Sequence, residues 1–145
     1  MKTVMFVCTG NTCRSPMAEA IFNKTIPDNL GHLYCAKSAG IFAQNGAQVS
    51  ENSVAALKPF DIDISSHRAK QLDLGGDLEG IELFVCMTDT HADHLLSLGI
   101  KSEKLMVLQI ADPFGCGLDT YTLCAQEIFK KMPEVFGRIG LQNEH

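Results

Sequence analysis

An α/β fold, with a four-stranded parallel sheet and helices on both faces in three layers, is predicted by three observations. Four short apolar runs recur along the 145 residues, helix-compatible segments separate them, and the connections are short and polar. Continuous apolar runs fill the buried strands of parallel sheets, which are covered on both faces. Strand–helix alternation gives βαβ units, and right-handed crossovers place the helices. The expected strand order is 2-1-3-4. No internal repeat, low-complexity tract or linker interrupts the chain, so residues 1–145 are read as one domain.

The elements follow in order. Thr3–Val7 reads as the first strand. Pro16–Lys24 reads as the first helix, with Met17, Ala20, Ile21 and Lys24 at helical spacing, Pro16 at the first helical position and Ser15 as N-cap. His32–Ser38 is the second strand. Ser50–Leu57 is a helix capped by Ser50, with Val54 and Leu57 on one face. Ile81–Met87 (IELFVCM) is the third strand, and Asp89–Leu98 a helix with Thr88 and Asp89 as capping candidates and Ala92, Leu95 and Leu96 toward the core. Lys104–Ile110 (KLMVLQI) is the fourth strand. Asp119–Met132 is a last helix carrying Leu123, Ile128 and Phe129, stopped by Pro133, with Gly140–His145 frayed. Gly75–Gly80 and Asp112–Gly117 are short loops.

Composition narrows the function. The chain is 46% hydrophobic and 20% charged, with a formal charge of −5, and it has no Lys/Arg run of the kind that grips nucleic acid. His67, Arg68 and Lys70 form the densest basic group and read as a solvated helix face. No segment has the length of a bilayer span, and the apolar stretch before Cys8 is too short for a signal-peptide core. A cytoplasmic protein is expected, with neither a membrane nor a nucleic-acid partner. Its six cysteines should then be reduced. Cys35, Cys86 and Cys124 sit in apolar runs and read as small core hydrophobes. The chain lacks a CxxC pair, so no metal site is expected, and nothing calls for a cofactor.

The chemistry concentrates in VMFVCTGNTCRSPMAEA, Val4–Ala20. In an open α/β sheet, ligands bind beyond the carboxyl ends of the strands, and the Cys8–Ser15 loop leaves the first strand there. Gly10 permits backbone geometry that other residues resist, and Thr9, Asn11 and Thr12 keep bulk small. A loop that curls into a helix N-terminus aims several amide hydrogens at one spot, with the helix dipole behind them, and binds an anion. Arg14 adds a planar bidentate donor for phosphate oxygens. Amides, dipole and guanidinium all favour a thiolate at Cys8, which is placed for in-line attack on phosphorus to give a phosphocysteine. Ser15 can donate a hydrogen bond to the departing sulfur. The spacing is not that of a Walker loop, because no Gly-Lys-Ser/Thr follows.

The stretch CTGNTCRSPMAEA resembles the signature of the low-molecular-weight protein-tyrosine-phosphatase family. Ser38-Ala39-Gly40 resembles the family's SAG segment, Ile64–Gln71 (ISSHRAKQ) its third block, and Asp112-Pro113 its DP loop. The resemblance implies a phosphotyrosine-phosphatase I-like fold with flavodoxin-like winding. It implies a phosphoprotein substrate, inorganic phosphate as product, Cys8 as nucleophile and Arg14 as the phosphoryl grip. Asp112 would be the general acid that protonates the leaving group and then the base that activates water. A phenolate, with a conjugate acid of pKa about 10, leaves poorly without such a proton. The family's loop-supporting network matches Asn11, Ser15, Ser38 and His67 here, and Phe42 and Phe114 are expected to line the substrate pocket.

The family has branches. Members acting on phosphotyrosine carry a bulky aliphatic residue where this chain has Thr12, and aromatic residues directly after Asp-Pro, where this chain has Phe114-Gly115. Thr12 and SAGIFA (Ser38–Ala43) look more like the bacterial protein-arginine-phosphatase branch, whereas His67-Arg68 looks more like the tyrosine branch. The balance leans to phosphoarginine, with aryl phosphates accepted as well. Two alternatives stand beside it: an arsenate reductase of the same fold, which lacks a relay cysteine near Asp93 here, and a phosphocysteine carrier or phosphoprotein-binding module, which would not need Arg14. Cys13, five residues after Cys8, either forms a reversible disulfide with it that guards against over-oxidation or packs beneath the loop.

Overall fold

A computed structural model describes residues 1–77 and 80–143. Four strands, β1 (Lys2–Cys8), β2 (Tyr34–Gly40), β3 (Ile81–Cys86) and β4 (Leu105–Val107), form one parallel sheet in the order β2-β1-β3-β4. This is the order expected from sequence. The helices are α1 (Arg14–Thr25), α2 (Asp28–Gly31), α3 (Glu51–Leu57), α4 (Leu74–Asp77), α5 (Asp89–Ser97) and α6 (Leu118–Asn143). No helix among the described residues is long and apolar enough to cross a membrane.

Successive side chains of β1 point to opposite faces, and this divides the core. Val4, Phe6 and Cys8 join one cluster with Met17, Ile21 and Phe22 of α1 and Ile128 and Met132 of α6. Met5 and Val7 join the other with Phe84 and Cys86 of β3 and Ala92 and Leu95 of α5. Every one of these side chains is buried, which explains why the strands read as unbroken apolar runs.

The structure corrects several boundaries. β2 begins two residues later than expected, because α2 and its following turn, with Leu33 N–H on the Leu30 carbonyl, occupy the segment before it. β4 is only three residues long: Gln109 adopts φ 60 and turns the chain out of the strand. The Lys131 ammonium holds this turn, donating to the Leu108 and Gln109 carbonyls at 2.7 and 3.1 Å. α1 starts at Arg14 with Cys13 at the N-cap, and Pro16 is its third residue. Ser15 cannot cap, because its hydroxyl is committed to Cys8 and Asn11. Ser50 caps α3 as expected, its hydroxyl accepting from Ser53 N–H.

Pro133 does not stop α6, and the residues expected to fray after Gly140 are helical to Asn143; Glu144 and His145 lie outside the described residues. An internal proline costs about 3 kcal/mol, whereas burying Val135 and Ile139 beyond it contributes about 1.5–3 kcal/mol each. The apolar stripe therefore carries the helix through. Leu96, expected toward the core, is exposed, and Cys35 is only half-buried. The segment 65–71 is not a helix face. It is an extended loop that bridges Gly40 through Gln71 and Gln48 through Arg68. Of the Gly75–Gly80 loop, residues 74–77 form α4 and Leu78 and Glu79 lie outside the described residues.

Candidate active site

The loop between β1 and α1 is held from outside by its own carbonyls. Cys8 O accepts from Ile41 N at 3.0 Å, Thr9 O from Phe42 N at 2.9 Å, Thr12 O from Ser50 N at 2.9 Å and Cys13 O from Met17 N at 3.4 Å. A peptide's N–H points away from its C=O, so a loop whose carbonyls face the scaffold turns its amides inward, toward the cleft. Gly40 makes this possible. A Cβ there would lie 2.4 Å from Thr9 O and 3.0 Å from Asn11 N, so the loop and the end of β2 touch backbone to backbone.

Asn11 is the hub beneath the loop. It is fully buried, with φ 57, a left-handed conformation that asparagine tolerates better than most residues. Its Oδ1 accepts from Lys70 N at 2.9 Å, which fixes the amide orientation, and its Nδ2 donates to Ser15 Oγ at 2.8 Å and Ser38 Oγ at 3.0 Å. Ser15 Oγ, which accepts from Asn11, lies 2.8 Å from Cys8 Sγ, with its own proton free to donate to the sulfur. Ser38 donates to Glu19 Oε1. His67 Nε2 faces two acceptors, Asn11 O at 3.1 Å and Oδ1 at 3.2 Å, so it carries the proton. His67 therefore faces inward as a support, beside the chain expected to be a solvated basic face.

Above this floor, Arg14 is 4% exposed; its Nη1 donates to Ile110 O at 3.0 Å and its Nη2 lies 3.7 Å from Asp112 Oδ2. Asp112 is oriented by its other oxygen, which accepts from Phe114 N at 3.0 Å in an Asx turn. A cleft of about 230 Å³ results. It is lined by Cys8, Thr9, Gly10, Thr12, Cys13 and Arg14 of the loop and helix start, with Asp112 and Phe114. The structure thus assembles the nucleophile, grip and acid candidates around one cavity. Phe42 lies outside this lining: its amide is tied to Thr9 O, and its ring projects into solvent beside His94, centroids 5.8 Å apart.

The cysteines separate by environment. Burial pushes the thiols of Cys86 and Cys124 up to about 12, which keeps both protonated and inert. All six thiols are free. Cys13 Sγ lies 3.4 Å from Tyr121 OH, and burial, followed by this contact, raises the Tyr121 phenol to about 12. It remains neutral.

Three site residues were not found from the sequence. Glu19 could have been, since it lies one helical turn after Ser15 on the same face. His91 stands at capping-box spacing from Thr88, with a side chain 3% exposed and an Nε2 that lies 2.9 Å from Thr9 Oγ1. Tyr121 has no local signal, being brought in by α6 across the fold.

Comparison with known proteins agrees with this geometry. The family described as low molecular weight phosphotyrosine protein phosphatase matches residues 3–144. A protein-arginine-phosphatase of Bacillus subtilis (strain 168) is 34% identical over 138 residues, covering 86% of this chain and 88% of the relative. A solved low molecular weight protein tyrosine phosphatase from T. tengcongensis is 38% identical, with a TM-score of 0.83 over 98% of this chain and 99% of its own. An arginine phosphatase solved as a cysteine-to-serine mutant with a phosphorylated active-site serine is 30% identical, with a TM-score of 0.84 over 95% of each chain.

Proposed function

The chain belongs to the low molecular weight phosphotyrosine protein phosphatase family, and from that premise we propose that it removes phosphoryl groups from phosphoarginine in proteins, with Cys8 as the nucleophile. The observation that carries the chemistry is that Cys8, in contact with the buried Ser15, lines one cleft with Arg14 and Asp112. Cys8 sulfur attacks phosphorus as the bond to the leaving nitrogen or oxygen breaks, and Asp112 gives that atom its proton. Arg14 binds the equatorial oxygens, on which charge accumulates. A water then attacks the phosphocysteine and loses its proton to the Asp112 carboxylate. The sulfur leaves as thiolate, receiving the Ser15 hydrogen bond, and inorganic phosphate departs.

The choice of phosphoarginine rests on Thr12. Its side chain lines the cleft, where its hydroxyl can accept from a guanidinium N–H or position water, and where an aliphatic side chain would offer only apolar contact. The arginine phosphatases among the relatives support this reading. Phosphotyrosine is the second substrate, favoured by the Phe114 ring at the wall of the cleft, which can pack against an aryl group. A cytoplasmic location belongs to the same reading, because the mechanism needs Cys8 as a free thiol in a reducing compartment. The test compares phosphoarginine and phosphotyrosine peptides on wild type and Thr12→Ile. The substitution should shift the ratio of kcat/KM toward phosphotyrosine; an unmoved ratio removes Thr12 as the selector.

A further inference from the structure

His91 lies outside the roles assigned so far, yet it is buried and both of its ring nitrogens are engaged at the edge of the cleft. Thr88 N–H donates to Nδ1 at 3.1 Å, and Thr88 Oγ1 lies 2.9 Å from the same nitrogen. A backbone amide can only donate, so Nδ1 presents its lone pair, and in the neutral ring the proton sits on Nε2. Burial, with the positive charge of Arg14 adding to it, keeps the ring neutral at working pH. The Nε2–H therefore donates across 2.9 Å to Thr9 Oγ1. A hydroxyl that has accepted this bond has its own hydrogen free to donate. Thr9 is an exposed residue lining the same cleft as Cys8 and Arg14.

We propose that His91 is a positioning residue for the phosphate cradle: anchored at Nδ1 by the start of α5, it fixes the Thr9 hydroxyl as a donor to the bound oxyanion. The device rests on the reading of this cleft as a phosphate site and adds a side-chain donor to the loop amides and Arg14. It also ties the cradle to the opposite face of the sheet, since α5 packs in the core cluster that α1 does not share. An oxyanion gains from this donor. A guanidinium or phenyl group, offering no comparable acceptor, does not, so His91 serves phosphoryl binding rather than the choice of leaving group.

Inorganic phosphate is the probe, read as competitive inhibition of aryl-phosphate hydrolysis by the full chain. Thr9→Val should raise the phosphate inhibition constant about tenfold, as expected for a lost hydrogen bond to a charged group. His91→Leu should raise it several-fold, and Thr9→Val/His91→Leu should be no worse than Thr9→Val alone. His91→Gln should restore the wild-type constant, since its carbonyl can accept from Thr88 N–H while its amide donates to Thr9. Additive losses in the double variant, or a wild-type constant in a folded His91→Leu, would overturn the proposal. On the wild type itself, imidazole nitrogen NMR should show the Nε2–H tautomer, and an Nδ1–H tautomer would overturn the proposal whatever the variants do. If phosphate fails to inhibit the wild type at all, the phosphate site itself is wrong and this role falls with it. Inhibition of the wild type with no effect at Thr9 refutes the positioning role alone.

Discussion

Ser15 Oγ lies 2.8 Å from Cys8 Sγ and accepts from Asn11 Nδ2 at 2.8 Å, which leaves its own proton free to turn to a sulfur anion. This arrangement favours sulfur as an anion. It therefore matters most when thiolate leaves phosphorus. Ser15→Ala should lower turnover by about 1.5–3 kcal/mol, or roughly ten- to a hundredfold. The loss should fall on breakdown of the intermediate, seen in rapid-mixing experiments as a full burst followed by a slowed steady state. A lost burst with an unchanged steady state would place Ser15 elsewhere.

Gly40 is required by contact rather than by conformation. A methyl group there meets the Thr9 carbonyl at 2.4 Å, and that carbonyl is part of the loop that forms the cleft. Gly40→Ala should destabilise the fold by about 1–3 kcal/mol, as overpacking does, and should weaken phosphate binding at the same time. Denaturant unfolding and phosphate inhibition measured on one preparation check both. Stability lost with phosphate affinity intact would show that the loop absorbs the shift.

The His91 ring gives a pH signature. Burial first, then the Arg14 charge and His94, lower it from 6.5 to about 4, with Asp112 opposing. In the unfolded chain the ring titrates near its ordinary value. Between about pH 6.5 and 4 the unfolded state therefore binds more protons than the folded one, and stability falls as pH drops through that window. His91→Gln should flatten this dependence in stepped-pH unfolding, and an unchanged slope would show that the ring is not held neutral.

Cys13 offers a redox test. If Cys13 guards the nucleophile, peroxide would convert Cys8 to a sulfenic acid, and attack by the Cys13 thiol would release water and form a disulfide that added thiol can reduce. After peroxide treatment, wild type should recover activity with added thiol, whereas Cys13→Ser should lose it permanently as Cys8 over-oxidises. Equal recovery would leave Cys13 as packing against Tyr121.

The fold was legible in the sequence where burial dictated pattern. Val4–Val7 and Leu83–Cys86 are covered on both faces and read as apolar runs, and Ser50 and Thr88 announced their helices chemically. Legibility failed where a long-range contact overrode a local rule. Pro133 reads as a helix stop, but Val135 and Ile139 are buried beyond it. Ser15 reads as a cap, but its hydroxyl is spent on Cys8. His67 sits in a basic, polar stretch that resembles solvated surface; composition hid it, the resemblance to the family marked it as loop support, and the fold places its Nε2 on Asn11. The catalytic candidates Cys8 and Arg14, and the selector candidate Thr12, were visible because one short loop holds them. Asp112 came from the resemblance to the family, and Tyr121 and His91 arrive from helices distant in sequence.

The central claim is that Cys8 carries the phosphoryl group between substrate and water. It is tested most directly by quenching the enzyme during turnover and locating covalent phosphate by peptide mass spectrometry, with Ser15→Ala used to slow breakdown of the intermediate. The account predicts a single phosphate on Cys8, formed with either substrate and absent from Cys8→Ala. Phosphate on another residue, or turnover that persists in Cys8→Ala, would contradict it.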